Sequence, residues 1–72
     1  MDIGENIRYI RKLRSLTQYD IAKVVGVTCQ AVSKWERGET RPDIDTLPVL
    51  SECLNVTIDE LFYGIKSWKG KI

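Results

Sequence analysis

The chain has 72 residues, of which 43% are hydrophobic and 29% charged, and its formal net charge is +1. This length accommodates one small domain with a single core. The sequence contains no histidine and two cysteines, which excludes the usual Cys/His metal sites and histidine-based catalysis. No apolar run approaches the ~20 residues of a membrane span, and the N-terminus lacks a signal-peptide pattern. We therefore expect a cytoplasmic protein that is not an enzyme and needs no cofactor.

Charge is distributed unevenly along the chain. Residues 1–41 carry eight basic and five acidic side chains, residues 42–65 carry five acidic and no basic ones, and residues 66–72 carry three lysines. A basic first half is typical of a surface that faces nucleic acid. An ordinary solvated surface produces the same distribution, so charge alone leaves both interpretations open.

The pattern of apolar residues is helical from the N-terminus onwards. No segment long enough for a β-strand alternates between apolar and polar residues. Apolar residues at positions 3, 7, 10 and 13 have helical spacing. Asp2 and Glu5 form a possible cap for this first helix, which we expect to end near Arg14. Ser15 then occupies a position where a left-handed conformation suits the turn.

Two further helices follow in close succession. Thr17 is a good N-cap, and the carboxylate of Asp20 faces the free N–H groups of the first turn. Gly26 ends this second helix with a positive φ angle. Thr28 caps a third helix, which runs from about residue 29 to residue 37.

The last two helices are also marked by their caps. Pro48 is tolerated only in a first turn, which favours Asp45 as the cap of the fourth helix. Thr57 and Glu60 form a capping box for the fifth helix, which Gly64 ends. The sequence thus predicts an all-α fold, a compact five-helix bundle whose short helices depend on packing.

The second and third helices have the layout of a helix-turn-helix, because a short turn containing Gly26 joins them. Ala22 allows the two helices to cross closely. Apolar residues of both helices supply the inner faces, so the remaining side chains of the third helix are expected to face outwards: Cys29, Gln30, Ser33 and Lys34. The major groove of B-DNA is wide enough for one such helix.

Two segments, LTQYDIAKVVGVTCQAVSKWERGETRPD and LNVTIDELF, resemble the phage-repressor type of bacterial helix-turn-helix, the Cro/CI or Xre family. The resemblance covers about residues 7–63. It implies a lambda-repressor-like DNA-binding domain over residues 1–64, with the helix-turn-helix at 18–37 and a C-terminal tail at 65–72. The implied function is that of a sequence-specific transcriptional regulator of double-stranded DNA, expected to be a repressor that binds a two-fold symmetric operator as a dimer.

The resemblance also assigns roles by position. It makes the third helix the recognition helix, whose four outward side chains contact or flank the base edges; Cys29 departs from the polar residue common in the family. Contacts with DNA phosphates fall on Thr17, Gln18, Thr28 and Arg41.

Other residues have both a structural and a functional interpretation. Trp35 is expected to fill the core rather than to stack on a ligand. Arg11 and Glu36 form a pair that is common in the family, and two independent surface charges are the alternative. Oxidation of Cys29 would block docking on DNA, which makes a redox switch a second, less favoured role for that residue.

The C-terminal end concentrates apolar side chains. We expect a homodimer contact there, made by Phe62, Tyr63, Ile65 and Trp68, and no small-molecule ligand or membrane partner. A disordered tail is the alternative. Two other functional hypotheses stay open: an antitoxin of the same fold that binds a toxin, and a domain cut from a longer regulator.

Overall fold

The computed structural model describes residues 2–65. In this range the chain is all-α, as predicted, with five α-helices, one short 3-10 segment and no strand. In chain order the elements are α1 (Ile3–Leu13), α2 (Gln18–Val25), α3 (Cys29–Glu36), the 3-10 segment (Ile44–Thr46), α4 (Leu47–Leu54) and α5 (Ile58–Tyr63).

Side-chain caps start four of the helices where the sequence placed them. Asp2 accepts a hydrogen bond from the N–H of Glu5 at 2.9 Å at the start of α1. Thr17 and Thr57 start α2 and α5 with full capping boxes. Thr28 starts α3 with one hydrogen bond, which its side chain accepts from the N–H of Ala31. Each cap satisfies N–H groups that have no partner within the helix.

Left-handed residues end several helices, which lets the chain turn sharply. Gly26 ends α2 with φ +87°, and Ser15 follows α1 with φ +60°, both as predicted. Asn55 ends α4 in the same conformation, with φ +58°. The side chain of Arg14 donates to the carbonyl oxygens of Leu54 (2.9 Å) and Asn55 (3.1 Å), so the turn after α1 is tied to the turn after α4.

The start of α4 differs from the prediction, because Asp45 is not its cap. Asp45 lies inside the 3-10 segment, and Thr46 is the N-cap of α4 without a side-chain hydrogen bond. The N–H of Thr46 donates to the carbonyl oxygen of Asp43 at 2.9 Å. A 3-10 turn leading directly into a helix supplies such bonds from the backbone, so no side-chain cap is needed. Pro48 does lie in the first turn of α4.

All five helices contribute to one core, in which α1 packs against α3 and α5, and α2 against α3 and α4. Trp35 is only 6% exposed, which confirms that it fills the core. The side-chain amide of Asn6, itself buried, donates to the carbonyl oxygen of Leu61 at 2.8 Å and joins α1 to α5. The buried apolar residues are Ile3, Ile7, Ile10, Ile21, Ala22, Val32, Trp35, Leu47, Leu50, Leu54 and Leu61.

Candidate nucleic-acid interface

Helices α2 and α3 form the predicted helix-turn-helix. Ala22 is 4% exposed on the inner face of α2. Its carbonyl oxygen accepts from the N–H groups of Gly26 (2.8 Å) and Val27 (3.0 Å), which closes the turn. Thr28 then starts α3 by accepting from the N–H of Ala31 at 3.1 Å. The turn therefore depends on a small residue, a positive φ and a cap, all within seven residues.

Helix α3 presents an exposed face that includes Gln30 and Lys34. These two residues are four positions apart and therefore lie on the same side of the helix. Ser33 is partly exposed beside them. Within residues 2–65 the side chains of these three residues form no hydrogen bond or ion pair with the protein. Their polar atoms are thus available to a ligand.

The expectation that Cys29 faces outwards is wrong in part. Its side chain is half-buried and packs against the core cluster. The reason is helical geometry: Cys29 precedes the buried residues Val32 and Glu36 by three and seven positions, and this spacing puts it on their side of α3. Only part of this residue is therefore exposed.

The two threonine caps use their hydroxyl oxygens to accept from the backbone. The hydroxyl oxygen of Thr17 accepts from the N–H of Asp20 at 3.0 Å, and Thr28 makes the equivalent bond in α3. The hydroxyl hydrogen of Thr28 stays available for a further acceptor, whereas the hydroxyl of Thr17 also interacts with the carboxylate of Asp20. Gln18, the first residue of α2, has a backbone N–H at the positive end of the helix dipole.

A buried ion pair between Arg11 on α1 and Glu36 on α3 holds the helix-turn-helix against α1. The Nε of Arg11 lies 2.7 Å from Oε2 of Glu36, and its Nη2 lies 3.1 Å from Oε1. The side chains are 11% and 3% exposed, respectively. Arg11 also donates to the carbonyl oxygen of Leu16 at 2.9 Å, just before α2. The predicted pair is therefore present, and the alternative of two independent surface charges is wrong.

Glu36 has a further hydrogen-bond partner that the sequence did not predict. The side-chain amide of Gln18 donates from Nε2 to Oε1 of Glu36 at 3.0 Å. Nothing in the local sequence signals this bond, because residues 18 and 36 meet only where α2 and α3 cross. Glu36 thus joins α1, α2 and α3 through one carboxylate.

Arg41 lies elsewhere, in the loop after α3. Its side chain is exposed and borders an apolar groove of about 240 Å³. The groove is formed by the N-terminal end of α1, this loop, the 3-10 segment, α4 and α5. Its lining residues are Ile3, Arg41, Pro42, Ile44, Leu47 and Phe62.

The predicted dimer residues have different environments. Phe62 is 41% exposed in the apolar groove, and Tyr63 is 71% exposed next to it. Ile65 is half-buried and packs against the core, so only part of it is available to a partner. Trp68 lies outside the described residues.

Shifted pKa values are found at Asp20 and Cys53, both outside the outward face of α3. The N–H and hydroxyl of Thr17 hold the pKa of Asp20 below its ordinary value. Burial raises the pKa of the Cys53 thiol, and the nearby charge of Asp20 adds to the effect. Among residues 2–65 there is no group of three or more side chains that could hold a metal ion, and no helix that could cross a membrane.

Comparison with known proteins agrees with this geometry. The model of the helix-turn-helix family matches residues 7–61. Repressor protein C2 of Salmonella phage P22 is 42% identical over 62 residues, which are 86% of this chain and 29% of that protein. The transcriptional activator BcrR of Enterococcus faecalis is 38% identical over 64 residues, which are 89% of this chain and 31% of that protein.

The fold is shared as well. A crystal structure of the P22 c2 repressor protein in complex with a synthetic operator superimposes with a TM-score of 0.82 and 41% identity, covering 89% of this chain and 97% of that one. The chain spans about a third of the length of the two curated relatives. It belongs to the helix-turn-helix family, of the phage-repressor (Xre) type.

Proposed function

We propose that this protein binds double-stranded DNA in a sequence-specific manner and represses transcription by occupying its site as a dimer. One observation carries the proposal: α3 has an outward face whose polar groups are unused, while its inner face is fixed in the core. A rigid helix with free donors and acceptors suits the major groove. The similarity to a repressor that binds an operator supports the same function.

Base readout falls on the outward face of α3. The carboxamide of Gln30 offers a donor and an acceptor, which matches the major-groove edge of adenine. The ammonium group of Lys34 donates to N7 and O6 of guanine. Ser33 adds a hydroxyl beside them, and the exposed part of Cys29 suits apolar contact with a thymine methyl group better than a hydrogen bond.

Phosphate contacts position the helix on the duplex. Thr17 and Thr28 lie at the first turns of α2 and α3, where the helix dipoles favour an anion, and Thr28 offers its hydroxyl hydrogen. Gln18 offers its backbone N–H and its side-chain amide at the same end of α2. Arg41 extends the contact to the backbone from the loop after α3.

Dimerisation belongs to the proposal as its second part. We assign the contact to Phe62, Tyr63, Ile65 and Trp68, of which Phe62 lines the apolar groove. The exposure of Phe62 and of Ile44, which is 80% exposed, supports an apolar contact there. A two-fold dimer reads two half-sites about one DNA turn apart. The protein would act in the cytoplasm, where it meets chromosomal DNA.

Selection from a randomised duplex library tests the first part. We expect a palindromic site to be enriched and its affinity to fall steeply with salt. Gln30→Ala and Lys34→Ala should each cost about 1–3 kcal/mol at one defined base position. Lys12→Ala, at an exposed basic residue of α1, is the control and should change no base preference.

The contrary result is equally clear. If no sequence is enriched and neither α3 substitution changes binding, α3 does not read DNA. A protein-binding role of the antitoxin type would then be favoured, and co-expression with a candidate toxin would test it.

A further inference from the structure

We propose that Glu36 is a positioning residue for DNA binding, which acts by orienting the carboxamide of Gln18. Glu36 itself would touch no DNA. The inference rests on the proposed function, because it assumes that the first turn of α2 meets a phosphate.

The geometry places Glu36 at the junction of three helices. Its Oε2 accepts from Nε of Arg11 on α1 at 2.7 Å. Its Oε1 accepts from Nη2 of Arg11 at 3.1 Å and from Nε2 of Gln18 on α2 at 3.0 Å. With a side chain only 3% exposed, the carboxylate is almost fully sheltered from water. Water therefore competes little for these bonds.

The chemistry of the carboxylate determines which end of the amide faces it. An ionised carboxylate only accepts hydrogen bonds, so the nitrogen of Gln18 must face Glu36 and the amide oxygen must point elsewhere. The nitrogen has a second hydrogen that remains available. Without Glu36 the amide is free to turn over and present its oxygen to a phosphate, which repels it. Glu36 therefore selects the amide orientation that binds an anion.

If Glu36 positions Gln18, removal of the Glu36 carboxylate changes DNA affinity in the opposite direction to that expected from its charge alone. A carboxylate near a polyanion weakens binding, so its removal should strengthen binding if charge were the whole effect. Positioning predicts that removal weakens binding. Glu39 offers the matched control, since it follows α3 closely and pairs with Arg37 at 2.9 Å, with its side chain 52% exposed.

The test compares Glu36→Gln, Gln18→Ala, the double variant and Glu39→Gln with the unaltered protein, by fluorescence anisotropy on the selected duplex at fixed salt. Glu36→Gln should weaken binding about tenfold, the size of one hydrogen bond to a charged group. Gln18→Ala should weaken it similarly, and the double variant should be no weaker than Gln18→Ala. Glu39→Gln should bind at least as well as the unaltered protein.

A second measurement covers the possibility that Glu36→Gln unfolds the domain. Side-chain amide resonances of Gln18 in the unaltered protein report the bond directly by NMR. We expect one of the two amide protons to be shifted downfield and to stay so when DNA is added. Two protons with the shifts of a free glutamine side chain would overturn the inference without any variant.

Each other outcome has a definite meaning. If Glu36→Gln weakens DNA binding by the same factor in the unaltered protein and in Gln18→Ala, Glu36 does not act through Gln18. In that case only the inference fails. If Gln18→Ala binds like the unaltered protein, Gln18 makes no phosphate contact through its side chain, and the inference fails with that contact. If the unaltered protein selects no duplex, the proposed function itself is wrong.

Discussion

Gly4 allows α1 to approach the end of α3 more closely than any other residue type would. A Cβ atom at this position would collide with the carbonyl oxygen of Trp35 and lie 3.1 Å from its carbonyl carbon. Both are backbone atoms, which cannot rotate away as a side chain does. The contact lies one residue before Glu36, whose carboxylate pairs with Arg11 on α1.

Gly4→Ala should therefore lower the free energy of unfolding by about 1–3 kcal/mol, the usual range for overpacking. Helix propensity alone would make Gly4→Ala stabilising, because alanine is the better helix former by about 0.5–1 kcal/mol. A loss of stability would therefore report the collision with α3. Urea denaturation measures the change. Arg8→Ala, on the exposed side of α1, is the control and should stay within about 0.5 kcal/mol. A stabilised Gly4→Ala variant would mean that the two helices can separate without cost.

Asp20 makes the stability of the domain depend on pH. Its pKa is lowered from the ordinary value of 3.8, first by the hydrogen bond from the N–H of Thr17. A carboxyl group with a lowered pKa contributes stability above its ordinary value and loses that contribution as the pH falls through the lowered one. The unaltered protein should therefore be more stable than Asp20→Asn at neutral pH.

Urea midpoints between about pH 2.5 and pH 7 test this dependence, with the window set by the ordinary carboxyl pKa. The difference between the unaltered protein and Asp20→Asn should shrink below about pH 4. Asp45→Asn, at an exposed carboxyl group of the 3-10 segment, is the matched control. A difference that stays constant over the whole range would contradict a role for the charge of Asp20.

At the level of helices, the features that were predictable are those encoded locally. A threonine or aspartate before an apolar period specifies a cap, and Gly26 specifies a left-handed turn, so the ends of α1, α2, α3 and α5 could be placed. The start of α4 could not, since backbone bonds of the 3-10 segment replace a side-chain cap there. The bond between Gln18 and Glu36 also escaped prediction, because it depends on how two helices cross.

The cap of α3 provides a test at this scale. Thr28→Ala removes the bond to the N–H of Ala31 and should destabilise the domain by about 1 kcal/mol. It should also weaken DNA binding if the hydroxyl contacts a phosphate, whereas Thr28→Ser should keep both properties. The control is Thr46→Ala, since Thr46 caps α4 without a side-chain bond. An equal loss of stability at positions 28 and 46 would contradict the capping argument.

At the scale of the whole domain, residues 2–65 present two surfaces of different chemistry. The outward face of α3 is polar, while the groove lined by Ile44 and Phe62 is apolar, and four of its six lining residues come from the acidic segment 42–65. Acidic groups near this groove disfavour the approach of DNA phosphates. This difference in chemistry suits a protein that uses one surface for DNA and the other for a second copy.

Phe62→Ser should therefore shift the equilibrium towards monomer, by about tenfold or more in the dissociation constant if Phe62 is central to the contact. Sedimentation equilibrium measures the shift. Leu13→Ser is the control, because Leu13 is 53% exposed at the opposite end of α1 from the groove. If both variants dimerise equally well, the dimer forms through another surface. A monomer at all concentrations in the unaltered protein would overturn the dimer proposal.

The outward side chains of Gln30, Ser33 and Lys34 share no hydrogen bond with the rest of residues 2–65. Their replacement therefore costs the fold little, and mutations there are tolerated even where the domain has little stability to lose. Site preference can then drift or be redesigned by exchanging a few exposed residues. The buried residues behind them, Val32, Trp35 and Glu36, have no such freedom. Selection can thus retarget the protein without first having to restabilise it.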